Sequence, residues 1–204
     1  MPENANLADE PRKRRRSTKE LLFEAAMSLI GERGYSGASV DAIAARAGVA
    51  KGIVYYYFDS KAALAEHLIS SGLDFLAERL ERAVSDDLSP EQALEALAAE
   101  EIKQVEKRRD FAKFLLSEMW HEDRQWRETL NACIQRISDI FAHQIQRGIE
   151  QGVFKPQEDV DFLAQLIFAT FLAAALNRTV LHPDLAQDEL TRRLTAYALG
   201  GLTA

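Results

Sequence analysis

The five prolines of this 204-residue chain leave long stretches that are free to form helices. They stand at positions 2, 11, 90, 156 and 183, and the segments between them are rich in Ala, Leu, Glu and Arg, which favour helix. One segment, residues 54–58, also has strand character because it contains three consecutive tyrosines. It is too short for propensity to decide. We predict an all-α fold with an N-terminal three-helix unit and a C-terminal helical body.

Helix start and stop signals divide the first sixty residues. Ser17 with Glu20 three residues later has the pattern of a capping box, and the helix that follows should end at residues 31–34. Ser39 is a good N-cap for a second, short helix. Gly48 should end that helix, because a chain leaving a helix often needs a positive φ that glycine adopts at low cost.

A third helix of about seven residues should begin at residues 50–51. Val54 and Phe58 would face the interior at helical spacing, with Lys51, Gly52, Tyr55 and Tyr56 on the outside. Helix, glycine turn and helix with a basic, tyrosine-rich outer face is the layout of a helix-turn-helix DNA reader. The lysine supplies charge, the tyrosine hydroxyls can reach phosphates, and the glycine permits close approach to the DNA backbone. The alternative is that the tyrosines are half-buried packing residues.

Charge is distributed unevenly. Residues 11–61 carry ten Lys/Arg against five Asp/Glu, although the whole chain has a net charge of −7. A basic head on an acidic body directs one face toward a polyanion. We expect Arg14, Arg15 and Arg16 to contact DNA from a flexible arm. The alternative is a solvated tail.

Residues 34–61 read GYSGASVDAIAARAGVAKGIVYYYFDSK. This stretch resembles the N-terminal region of the TetR family of repressors, in which similar residue types recur at these spacings. The resemblance implies a dimer that binds a palindromic operator in double-stranded DNA, and a C-terminal domain that holds a small-molecule inducer. It places the following residues against DNA: Ser39, Lys51, Gly52, Tyr55, Tyr56, Tyr57 and Lys61. Two residues depart from the family pattern: Ala50 cannot cap the third helix, and Ile53 cannot donate a hydrogen bond to a base.

The predicted domains are a basic arm (1–16), a helix-turn-helix domain (17–61) and a ligand-binding and dimerisation domain (62–204). In the last, further helices are expected at residues 60–84, 89–108, 111–120, 123–151, 159–180 and 188–199. Residues 159–180 are apolar on almost every side, which favours cover by a second copy of the chain over burial in a monomer. The predicted homodimer interface consists of Phe162, Leu166, Ala169, Phe171, Ala173, Leu190, Leu194 and Tyr197.

Candidate inducer contacts are the residues most able to orient a ligand in an apolar helical cavity. They are Trp120, Trp126, Cys133, His143, Phe168 and Asn177, and packing or surface roles are the alternative for each. The abundance of Phe and Leu favours an apolar or amphipathic inducer. No cofactor or metal site is expected, and no catalytic constellation is recognisable.

Three features indicate a cytoplasmic protein without membrane contact. The chain begins with a polar, acidic segment, it has a single cysteine, and its apolar run at residues 162–176 should be too short to span a bilayer. The rival interpretation is a helical ligand-binding or protein-interaction dimer that does not bind DNA. Such a protein would have no use for the basic head.

Overall fold

The computed structural model describes residues 17–121 and 123–203, and within these ranges the regular structure is helical throughout. The helices are α1 (Thr18–Gly37), α2 (Val40–Ala47), α3 (Lys51–Tyr57), α4 (Lys61–Ala83), α5 (Pro90–Lys107), α6 (Arg109–Glu118), α7 (Arg127–Glu150), α8 (Val160–Leu181) and α9 (Gln187–Leu202). The all-α prediction is confirmed, and the tyrosine run is helical.

The helix starts follow the serine caps. The Ser17 hydroxyl accepts a hydrogen bond from the backbone N–H of Glu20, whose carboxylate accepts one in return from the N–H of Ser17. Ser39 and Ser60 cap α2 and α4 in the same way, without the reciprocal bond. Ser89 forms a second capping box ahead of the proline that opens α5. Each of these four capping signals involves residues within one helical turn of its serine, which is why each could be predicted from the sequence.

Other helix boundaries differ more from the prediction. α1 continues to Gly37 beyond a break at Gly34, where φ is 70°. α6 begins and ends two residues before its predicted bounds, and α7 begins four residues later than predicted. Neither α6 nor α7 has a side-chain hydrogen bond at its N-cap, so the sequence holds no strong start signal there.

Helices α1–α3 form a head with its own small core, which includes Ala38, Ile43 and Val54, all at most 2% exposed. Helices α4–α9 form the body. Its central element is α5, which packs against α4, α6, α7, α8 and α9. The head joins the body through α4 and through packing of α1 on α6.

Helix α8 is longer than the apolar run noted in the sequence. By length and composition, its residues Val160–Arg178 would suffice to cross a membrane, so the expectation that this segment is too short is wrong. The helix packs against α7, α5 and α6 within the body. Only 39% of the stretch is buried inside the subunit. One such helix is weak support for a membrane span, and the apolar surface that it leaves uncovered is a candidate interaction surface.

Candidate nucleic-acid interface

The outer face of α3 is the most exposed aromatic surface of the head. Tyr56 is 80% exposed, Tyr55 49% and Tyr57 40%, whereas Val54 and Phe58 are buried beneath them as predicted. The rings of Tyr56 and Tyr57 meet edge to face, with centroids 5.1 Å apart. Three hydroxyl groups are thus held on a short rigid helix that is anchored from below.

Gly52 and Ile53 complete this face. Apart from its chain neighbours and the backbone of its own helix, a Cβ atom placed on Gly52 would meet no atom of the described residues within 4 Å. The packing of the described chain therefore gives no reason for glycine here, and an external surface that approaches the helix closely would. Ile53 is 38% exposed, and Ala50 makes no side-chain capping bond, as its sequence predicted.

Lys51 and Ser39 lie at the start of α3 and α2. The Lys51 amine forms an exposed ion pair with Asp41, with 2.9 Å between Nζ and Oδ2. This hydrogen bond to Asp41 raises the pKa of Lys51, which therefore stays charged at neutral pH. The Ser39 hydroxyl accepts a hydrogen bond from the backbone N–H of Ala42 at 3.2 Å, and Ser39 is exposed.

Lys61 lies against the end of α1. Its amine sits 4.1 Å from the centroid of the Tyr35 ring and donates to the carbonyl of Ser36 at 3.5 Å. Burial, and secondarily the charge of Arg124, lowers its pKa. Lys61 is half-exposed, so a contact with DNA would have to compete with the tyrosine ring. Arg14, Arg15 and Arg16 lie outside the described residues.

The structure does not bring the six candidate ligand contacts together. Trp126 is buried under the head, 4.7 Å from the Tyr35 ring, and Phe168 is buried 6.2 Å from Phe141. Cys133 is half-buried, and burial raises the pKa of its thiol. The remaining three, Trp120, His143 and Asn177, are exposed.

A groove of about 800 Å³ between head and body was missed by the sequence reasoning. Its apolar side chains are Phe23 and Met27 of α1 and Phe111 of α6. The lining basic residues are Lys19, Lys107, Arg108 and Arg109, with His67; the acidic ones are Glu20, Glu24, Glu106 and Asp110. The run of three basic residues at 107–109 is the one sequence signal that could have indicated it.

The predicted interface residues on α8 and α9 fall into two groups, one exposed and one buried. Phe162, Leu166 and Tyr197 are 57%, 47% and 75% exposed, and Ala169, Ala173 and Leu194 lie beside them with partial or full exposure. Phe171 and Leu190 are instead buried, at 1% and 7%. Their placement on an exposed interface is corrected, because helical periodicity in an all-round apolar helix does not show which side faces the subunit's own core.

Comparison with known proteins covers both parts of the chain. Residues 22–68 match the family model "Bacterial regulatory proteins, tetR family", and residues 90–198 match "Tetracyclin repressor-like, C-terminal domain". The fatty acid metabolism regulator protein of Bacillus subtilis is 25% identical over 158 residues, which cover 78% of this chain and 81% of the relative. The transcriptional repressor KstR2 of Mycobacterium tuberculosis is 27% identical over 189 residues, covering 89% and 91%.

A similar solved structure is that of FadR from Bacillus subtilis in complex with stearoyl-CoA. It superposes with a TM-score of 0.80 at 22% identity, covering 90% of this chain and 98% of that one. At this identity, the superposition shows a shared fold. The match of the C-terminal model extends over more than half of the chain and follows the N-terminal match in the same order along the sequence. The chain belongs to the TetR family of bacterial regulatory proteins and is a DNA-binding transcriptional regulator.

Proposed function

We propose that this protein represses transcription as a cytoplasmic homodimer that binds a palindromic operator, and that an amphipathic anionic ligand in the groove between head and body releases it. The observation that carries the proposal is the α3 surface, where three exposed tyrosines and Lys51 surround an open glycine. The tyrosine hydroxyls and the lysine would contact phosphates, and the helix would read base edges in the major groove.

Selection of operators from a random duplex library tests the DNA-binding half. We expect the wild-type protein to enrich an inverted repeat, since two copies of α3 related by two-fold symmetry read two half-sites. Tyr56→Ala should bind the selected duplex at least about tenfold more weakly, by loss of a contact worth roughly 1.5–3 kcal/mol. Trp120→Ala removes an equally exposed aromatic side chain that lies outside α3 and outside the predicted dimer interface, and it should leave the half-site preference unchanged. Absence of any enriched repeat would refute the proposal.

The groove supports the ligand half. Phe23, Met27 and Phe111 provide apolar surface for a hydrocarbon chain, and Lys107 and Arg108 provide positive charge at its end. The Arg108 guanidinium is 3.7 Å from the centroid of the Phe75 ring, which holds it in place. Of the nearby carboxylates, Glu106 already binds Arg178. A long-chain acyl-CoA, the class of ligand bound in the solved FadR complex, fits this combination of an apolar chain and phosphates.

Binding of palmitoyl-CoA tests the groove. The Lys107→Gln/Arg108→Gln double variant should bind it at least tenfold more weakly, since charge-assisted contacts to phosphate are each worth about 1.5–3 kcal/mol. Lys155→Gln, which removes an exposed cation outside the groove, is the matched control. Equal affinity of the double variant and wild type would place the ligand elsewhere, while the DNA-binding half of the proposal would stand.

A further inference from the structure

Glu101 is an acidic residue in the interior of the body. It is 0% exposed, and neither carboxyl oxygen has a hydrogen-bond partner in the described part of the chain. It does not lie at the edge of the core: Leu94, Leu97, Ala98 and Val105, its neighbours on the same face of α5, are all 4% exposed or less. Burial raises the pKa of Glu101 well above its ordinary value of 4.5.

The adjacent residue, Glu100, is a buried glutamate whose carboxylate does have hydrogen-bond partners. Glu100 is also buried, but its carboxylate binds Arg79 at 2.6 Å, Lys103 at 3.0 Å and Gln104 at 2.8 Å. A buried carboxyl without such partners costs free energy, and packing alone would favour leucine at position 101. A buried, unpaired, titratable group inside a ligand-binding domain is a candidate for ligand recognition.

Glu101 lies about two helical turns from a residue that lines the groove. Arg108, which lines the groove, is the C-cap residue that directly follows α5. It comes seven residues after Glu101, so the two residues lie on the same side of the helix, about 10 Å apart along its axis. Glu101 itself lies in the interior of the body and is not part of the groove lining. A ligand whose charged end sits at Arg108 and whose apolar part enters the body along α5 would bring its far end to Glu101. A neutral carboxyl group both donates and accepts a hydrogen bond there.

We propose that Glu101 recognises a hydroxyl or keto oxygen on the buried part of the inducer, so that the protein responds to oxygenated apolar ligands in preference to plain hydrocarbon chains. This inference rests on the ligand half of the proposed function. An unsubstituted chain leaves the carboxyl unpaired when the ligand is bound, whereas an oxygenated one satisfies it. A site built to bond a hydroxyl rejects the analogue that lacks it.

Matched acyl-CoA pairs test this proposal. Each pair consists of a plain acyl-CoA and its ω-hydroxy derivative, with chains from 8 to 16 carbons, and binding is measured by calorimetry. Wild type should bind the hydroxylated member at least tenfold more tightly at the best chain length. Glu101→Leu should invert the preference. Glu101→Gln should keep it, because an amide also donates and accepts. Glu100→Gln, the neighbouring control, should not change it.

The outcomes separate the two proposals. Equal binding of both members of every pair, or a preference that Glu101→Leu leaves unchanged, overturns the role of Glu101 alone. Binding of no member at any length overturns the acyl-CoA ligand and the role of Glu101 together. Glu101→Leu should melt at or above the wild-type temperature, since it replaces an unpaired buried polar group, and this shows that an altered preference does not come from unfolding.

Discussion

Gly52→Ala should move stability and DNA affinity in opposite directions. The residue lies inside α3, and an added Cβ meets nothing within 4 Å in the part of the chain that the structure describes, beyond its own neighbours and helix backbone. Alanine in a helix is favoured over glycine by roughly 0.5–1 kcal/mol, because glycine loses more conformational freedom on folding. For a chain of this size we expect the melting temperature to rise by about 1–4 °C.

The same methyl group would stand between α3 and the DNA backbone. If it removes one charge-assisted contact to phosphate, the loss is about 1.5–3 kcal/mol per subunit. A dimer carries two such substitutions, so the total is about 3–6 kcal/mol, at least a hundredfold in affinity. This magnitude exceeds the small stabilisation, and DNA binding should fall although the protein is more stable.

Fluorescence anisotropy with the selected operator and a thermal melt of the same preparation provide the measurement. Ala132→Gly is the reverse control: it lies on the exposed side of α7 in the body, so it should lower stability by a similar amount and leave DNA affinity unchanged. If Gly52→Ala binds the operator as tightly as wild type, α3 does not approach DNA through Gly52, and the orientation of the head on DNA proposed here is incorrect.

Three further predictions follow from single contacts. Asp41→Asn frees Lys51 from its ion pair and removes a negative charge near phosphate. DNA affinity should therefore rise, and the slope of log K against log salt should steepen by about one per subunit. An unchanged slope would show that Lys51 does not reach DNA. Phe162→Glu, on the exposed face of α8, should convert the dimer to a 22.9 kDa monomer in sedimentation, and a dimer that persists would place the interface elsewhere. The raised pKa of Glu101 means that the folded state keeps a proton which the unfolded chain loses above about pH 4.5, so wild-type stability should fall as pH rises; Glu101→Gln should remove this loss in urea melts, and its advantage over wild type should grow with pH.

The head could be predicted nearly residue by residue because its signals are local. The serine caps, the turn at Gly48 with φ 71°, and the inward pair Val54 and Phe58 each depend on residues within one or two helical turns. The alternative that the tyrosines are half-buried packing residues is wrong for Tyr56, which is 80% exposed, whereas Tyr55 and Tyr57 are 49% and 40% exposed. Val54 on the inner face of α3 and Phe58 directly after the helix are both buried, which leaves Tyr55 and Tyr56 on the outer side.

The groove and the ligand contacts could not be predicted because they depend on how distant helices meet. Trp126 and Trp120 are six residues apart, yet one is buried against Tyr35 and the other is exposed. Composition showed that aromatic residues were present but not where the chain between α6 and α7 would turn. For α8, the apolar pattern indicated a covered helix but could not distinguish the side that Phe171 buries from the side that Phe162 exposes.

Gly31→Ala should act as a permanent substitute for the ligand. A Cβ on Gly31 would lie 2.5 Å from the Cβ of Asp110, so α1 and α6 would have to separate, at the groove that both helices line. A ligand shifts an equilibrium only by binding one state better than the other. If the ligand favours the state in which α1 and α6 are apart, Gly31→Ala favours the same state and should weaken operator binding and strengthen palmitoyl-CoA binding. Asp110→Gly in the same chain removes the opposing Cβ and should restore both affinities. A folded Gly31→Ala protein with wild-type operator affinity would show that the head does not respond to the α1–α6 contact.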